Sequence, residues 1–213
     1  MNKSQLIEFV RVSILKSEAV SDNQKTLHYQ RVAQAVGYAF DTLLAQIPMT
    51  PEGKAKIEAF YVKHYYNQPV AESSGYRYFG VSDDVVSVGE GKGVWYVQPS
   101  QTNNGNKNIS GSVFVYSNRP HVSFFANMAV GGAMNMTTWR FGNIATKKQI
   151  VLENIGDSPN TDIRLVDYGI VRAFTSYGDT EEVIVPDGRN DLLIQMVTEW
   201  MSPVYVDKTN NNQ

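Results

Sequence analysis

Apolar residues in the first third of the chain recur at three- and four-residue steps. Leu6, Ile7, Val10, Ile14 and Leu15 form one such stripe, and Asn2 and Gln5 ahead of it have the spacing of a reciprocal helix cap. After the polar turn Ser21-Asp22-Asn23, a second stripe runs through Leu27, Val32, Val36, Phe40, Leu43, Leu44 and Ile47 and is ended by Pro48. A helix from Gln24 to Ile47 would be a rod of roughly 37 Å. Thr50-Pro51 then offers a cap and first helical position for a shorter segment through Ala55 and Ile57 towards Tyr61.

Beyond Tyr61 the periodicity changes. Tyrosine, valine, glycine and asparagine dominate, and short alternating runs replace the helical stripe. Asp84–Val88 and Val94–Val97 flank Gly89-Glu90-Gly91-Lys92-Gly93 and predict a hairpin. A second hairpin is predicted from Ser112–Tyr116 and His121–Phe125 around Ser117-Asn118-Arg119-Pro120. Thr137–Phe141, Gln149–Leu152, Asp162–Val166, Ile170–Thr175 and Glu182–Val185 are further strand candidates. A last helix, capped by Asp187 or Asn190, carries Leu192, Leu193, Met196, Val197, Trp200 and Met201 before Pro203.

The pattern therefore predicts an α+β chain. A helical hairpin or appendage occupies 1–60, an antiparallel β-sandwich or barrel-like core closed by the terminal helix occupies 61–206, and a polar tail occupies 207–213. No internal repeat of solenoid length is visible.

Composition narrows the function. The 213 residues include no cysteine, which removes disulfide scaffolds, cysteine-based metal sites and thiol nucleophiles. A formal net charge of -2 gives no electrostatic footprint for tight binding along a phosphate backbone, so any contact with DNA should be loose. Charged residues interrupt the stretch from Gln5 to Arg11, so it does not read as a secretory signal. The most apolar run, Val122–Met136, falls short of the ~20 residues of a membrane span. The expectation is a protein folded in a cytoplasm without a membrane partner.

Candidate chemistry is thin. The Gly89-Gly91-Gly93 cluster precedes Val94-Trp95-Tyr96-Val97, a strand, whereas a phosphate cradle needs a helix there, so a tight turn is the expected role. His28, His64 and His121 lie far apart and predict no metal site. The acids Asp83-Asp84, Glu181-Glu182 and Asp157, Asp162 and Asp167 are the material for a glycosidase-like pair, against the simpler reading that acids at strand ends protect sheet edges. No catalytic, cofactor-binding or metal residue is assigned, and the expectation is a non-enzyme. Aromatics make up 11% of the chain, including Tyr61, Tyr65, Tyr66, Tyr76, Tyr78, Phe79, Trp95, Tyr96 and Trp139. They suit a β core, a protein interface or sugar stacking. The segregation of helices from strands also predicts an appendage whose remaining apolar surface is hidden against another subunit.

Four stretches resemble a known group. They are Ser4-Gln5-Leu6-Ile7 through Ala39-Phe40-Asp41-Thr42-Leu43-Leu44; Tyr61–Tyr66 with Tyr76–Gly80, Val85–Gly89 and Lys92–Pro99; Lys148–Ile155 with Ile163–Val166; and Glu182–Asp187 leading into Asp191–Val197. This order resembles ring proteins of the neck and tail of crAss-like phages, tailed phages of Bacteroidetes. The resemblance implies a virion structural protein assembled in the host cytoplasm. Such proteins form closed rings, typically of twelve copies, between portal and distal tail, with neighbouring ring, portal or tail proteins as partners and a channel for DNA and ejected proteins. The alternative from the residues alone is a carbohydrate-binding or glycan-acting β-sandwich module.

Overall fold

The computed structural model describes residues 1–16, 29–73, 76–89, 92–100, 114–116, 136–144, 147–155 and 164–201. Helix α1 (Lys3–Lys16) begins with the cap that its sequence predicts: the Gln5 N–H donates to Asn2 Oδ1 at 2.8 Å and the Asn2 N–H donates to Gln5 Oε1 at 3.1 Å. Helix α2 (Tyr29–Ala45) buries Val32, Val36, Phe40, Leu43 and Leu44, the expected stripe. The start of the predicted rod, 24–28, lies outside the described residues, as does the turn at 21–23. In α3 (Pro51–Phe60) the Thr50 hydroxyl accepts from the Gly53 N–H at 3.2 Å, the predicted cap.

Eight strands follow: β1 (Val62–Pro69), β2 (Ala71–Ser73), β3 (Tyr76–Gly80), β4 (Val94–Pro99), β5 (Val115–Tyr116), β6 (Met136–Ile144), β7 (Lys147–Ile155) and β8 (Leu165–Val171). They make a three-stranded antiparallel sheet, β1-β8-β4, and a five-stranded sheet, β2-β3-β7-β6-β5, antiparallel except for the β5–β6 pair. Among the described residues neither sheet closes into a barrel. Residues of both sheets, among them Val97, Val166, Tyr168 and Ile170 from one and Phe79, Trp139, Ile150 and Leu152 from the other, form one buried cluster. Burying such side chains contributes about 1.5–3 kcal/mol each before chain entropy is counted. The last helix, α4 (Asn190–Met201), buries Leu193 and Val197.

The chain divides into two compact units: Met1–Ala55 with Ala173–Gln213, and Lys56–Arg172. This corrects the expectation that 61–206 is one β core closed by its terminal helix, because α4 belongs with α1 and α2. The reason lies in the segment before it. Phe174 and Tyr177 pack on Phe40 with ring centroids 5.3 and 6.1 Å away, and Asp41 Oδ1 accepts from the Phe174 N–H at 2.8 Å. The amide groups of Lys3 and Ser4, unsatisfied by their own helix, donate to the carbonyls of Glu181 and Asp179 at 3.0 and 3.1 Å. Glu182–Val185 is accordingly no core strand. Its one bridge, Glu182 to Asn2, ties it to the helical unit.

Three further expectations shift. Residues 162–163 of the candidate Asp162–Val166 lie outside the described residues, and its end is continuous with the start of Ile170–Thr175: β8 runs unbroken through Asp167, Tyr168 and Gly169, and the chain then turns into a 3-10 turn at Phe174–Ser176. The predicted Gly89–Gly93 turn is present, with Gly89, Lys92 and Gly93 at positive φ and the Gly93 N–H donating to the Val88 carbonyl at 3.0 Å. Its first arm does not pair with β4. Instead Val85 bridges Arg172, and the Val86 N–H donates to the Val171 carbonyl at 2.9 Å. Of the second predicted hairpin only 114–116 is described, and its strand pairs in parallel with β6.

Candidate functional site

The outer face of the three-stranded sheet holds the most constructed group of exposed side chains. His64 on β1, Gly169 on β8 and Tyr96 on β4 stand in one row, since His64 pairs with Gly169 and Gly169 with Tyr96. Gly169 leaves a gap in that row, and the Tyr96 ring fills it: a methyl group placed on Gly169 would lie 2.6 Å from Tyr96 Cε1 and 2.9 Å from Val62 Cγ1. Lying across β8, Tyr96 brings its hydroxyl to 2.9 Å from His64 Nδ1, with ring centroids 5.7 Å apart. His64 in turn stands beside Tyr66, within 19° of parallel and 6.3 Å between centroids.

Tyr66 owes its placement to a bulge. Tyr65 pairs with Tyr168 and Gln68 with Val166, so Tyr66 and Asn67 together face the single residue Asp167. Asn67 takes a positive φ of 55°, and its N–H donates to the buried Asp167 Oδ1 at 2.8 Å. The Ser100 hydroxyl bonds the Asn67 side chain. The bulge is thus pinned by Asp167 on β8 and by Ser100 just past the end of β4, and the Tyr66 ring is left 61% exposed. Burial above all, and then the nearby Tyr66, Asp167 and Glu58, push the Tyr96 hydroxyl up to about 12, so it stays protonated at neutral pH.

On the opposite side of β1, Tyr65 stacks on the buried Tyr168, centroids 4.8 Å apart and planes 9° from parallel. Its hydroxyl donates to Asp83 Oδ2, which also accepts from Lys63 Nζ at 3.1 Å. Burial and the bond to Asp83 raise Tyr65. Burial alone would lower Lys63, but its bonds to Tyr65 and Asp83 outweigh that and raise it. This trio fastens the segment after β3 to β1.

The candidate acids do not converge. Asp83 is held by Tyr65 and Lys63, while Asp84 pairs with Lys148, so the two neighbours serve different cations. Glu181 Oε2 accepts from the Gly178 N–H at 3.1 Å, Asp167 is spent on the bulge, and Asp157 and Asp162 lie outside the described residues. His28 and His121 lie outside them too. Among the described residues no three metal-ligating side chains gather, and no helix is long and apolar enough to cross a membrane.

Three of the nine aromatics noted in the sequence, Tyr61, Phe79 and Trp139, are buried, with Trp139 Nε1 donating to the Phe114 carbonyl at 3.2 Å. In the sequence His64 stands as an isolated histidine, and neither Gly169 nor Asn67 is marked by any local signal. The alternation Lys63-His64-Tyr65-Tyr66, read as a strand, would have placed His64 and Tyr66 on one face.

The helical unit presents a second surface. Phe9 and Val12 on α1, Tyr29 and Tyr38 on α2 and Trp200 on α4 are all exposed, Tyr38 by 62%. Gln5, Glu8, Phe9, Val12, Ser13 and Lys16 line a shallow depression of about 380 Å³ along α1. No protein-family model matches the chain, and no curated protein matches it.

Proposed function

We propose that the protein is a structural component that acts by self-assembly, as a ring in the portal-to-tail connector of a tailed phage. The observation that supports this reading is the set of large apolar side chains that the helical unit leaves uncovered. Phe9 and Val12 are one helical turn apart, so they form a continuous apolar strip on α1, and Tyr38 and Trp200 add two aromatic anchors. Aromatic side chains of this kind carry much of the binding energy at protein interfaces.

A closed ring needs heterologous contacts, in which one surface meets a different surface of the next copy. A helical unit and a β unit in one chain supply two unlike surfaces. In this reading the β unit is a sandwich, its two sheets sharing the core around Tyr168 and Trp139. The net charge of -2 suits a channel wall along which DNA slides without being held. The resemblance of the residue pattern to crAss-like phage ring proteins is what favours the connector over other assemblies.

The test is the mass distribution of the purified chain, alone and co-expressed with candidate portal or tail proteins, together with negative-stain images. The expected result is a closed multimer, with Phe9→Asp and Val12→Asp shifting the population to monomers. Both side chains are exposed, so these substitutions spare the core. A chain that stays monomeric at tens of micromolar and co-purifies with none of those proteins refutes the assignment.

A further inference from the structure

The face built by Tyr66, His64 and Tyr96 has properties that assembly through the helical unit does not use. Its rings are amphipathic, two phenols and an imidazole, and they are arranged by three separate devices. The Gly169 gap seats Tyr96, the Tyr96 hydroxyl fixes the His64 ring through Nδ1, and the bulge pinned by Asp167 and Asn67 presents Tyr66. Rings held this way lose little freedom when something lies on them, which is the condition for recognition by stacking.

We infer that this face of the β unit binds a neutral pyranose of an uncharged polysaccharide. A pyranose has an apolar C–H face and a rim of hydroxyls. The C–H face suits the exposed Tyr66 ring, and the rim meets the second ring nitrogen of His64, whose Nδ1 is engaged by Tyr96. The phenol hydroxyls of Tyr66 and Tyr96 add further polar groups to the face.

Charge selects among planar ligands. Aromatic platforms that stack nucleobases are flanked by lysine and arginine that follow the phosphates. Here the charged neighbours acting on Tyr96 are the carboxylates of Asp167 and Glu58, and Glu58 is exposed. Those carboxylates repel a phosphate or sulfate chain, and the exposed one, Glu58, offers an acceptor to sugar hydroxyls. A protein partner, by contrast, is better served by the uncovered apolar side chains of the helical unit than by three polar-tipped rings.

The experiment is native electrophoresis of the full chain through gels containing laminarin, dextran or xyloglucan, with a plain gel as reference and a heparin gel as the polyanion control. The expected outcome is retardation in at least one neutral gel. Tyr66→Ala weakens it about tenfold, the loss that about 1.4 kcal/mol corresponds to, and Tyr66→Trp retains it. Tyr66 is 61% exposed, so its variants keep the fold, and circular dichroism verifies this. Migration unaltered in all three neutral gels overturns the inference, as does retardation by heparin alone or retardation that Tyr66→Ala leaves intact. If Tyr66→Ala instead changes the mass distribution of a chain that ignores the sugars, the face is a contact between copies and the inference is equally overturned. The gel result is independent of the Phe9 and Val12 variants, so the sugar site and the assembly stand or fall separately.

Discussion

Replacing Gly169 with alanine tests the construction of the β1-β8-β4 face at its centre. The added methyl would lie 2.6 and 3.0 Å from two carbons of the Tyr96 ring and 2.9 Å from Val62 Cγ1. Carbon atoms at rest stay about 3.5–4.0 Å apart, so the ring has to move by roughly an ångström or leave. Overpacking of this kind costs about 1–3 kcal/mol. Displacing the ring also breaks the hydrogen bond to His64, about 0.5–1.5 kcal/mol and at the lower end for an exposed pair. Against this, alanine restricts the unfolded chain more than glycine does, a gain of about 0.4–1 kcal/mol. The net expectation is a loss of about 1–2 kcal/mol in urea unfolding followed by the fluorescence of Trp95 and Trp139. A double-mutant cycle with Tyr96→Ala, which removes two of the three close contacts, is the sharper test. There Gly169→Ala should cost less than half as much. Equal losses in both backgrounds, or a stabilised single variant, would show that the ring does not occupy the glycine's missing side chain.

Other expectations follow from the same geometry. Asn2→Ala removes one half of the reciprocal cap on α1 and should lower the stability of the helical unit by about 0.5–2 kcal/mol, read by thermal unfolding at 222 nm. Asp41→Ala leaves the Phe174 N–H without its carboxylate, at a cost of about 1–3 kcal/mol, and amide exchange at Phe174 should quicken. Tyr96, pushed up to about 12, and Tyr65 and Lys63, both raised, add stability that is whole below the unfolded pKa of about 10 and is lost as pH rises through the folded values. Urea midpoints should therefore fall between about pH 10 and 12, more shallowly in Tyr96→Phe; a midpoint flat across that window contradicts the assignment.

The helices were legible because each rests on local signals. The Asn2/Gln5 cap, the stripe ending at Pro48 and the Thr50-Pro51 start are all readable within a few residues, and each stands where the pattern puts it. Strands β1, β2 and β3 were not singled out, because Val62–Pro69 alternates among aromatic, charged and amide side chains and its partner lies a hundred residues away. Gly169 was passed over for the same kind of reason: the ring that fills its missing side chain comes from another strand. The allegiance of α4 was likewise hidden, since a helix stripe of Leu193 and Val197 fits a sheet or a helix equally well. Its partner is decided by Phe174 and Tyr177, which the sequence marks only as aromatics. The surface site shares this limit, depending on which side chains stand next to each other across β1, β8 and β4.

The discontinuity of the helical unit has a consequence for how the chain is made. Its first piece ends at Ala55 and its second begins at Ala173, so the whole β unit is an insertion between them. During synthesis α1 and α2 leave the ribosome long before Phe174, Tyr177, Leu193 and Val197, the residues that complete their core. Until then the apolar stripe from Val32 to Leu44 has no partner from that end, while Lys56–Arg172 emerges in one piece. The β unit is therefore complete in the emerging chain before the helical unit, although the helical unit is begun first. Truncation that removes Leu193 and Val197 should spare the inserted β unit and unfasten the helices that began the chain, as limited proteolysis of such a truncated chain would read.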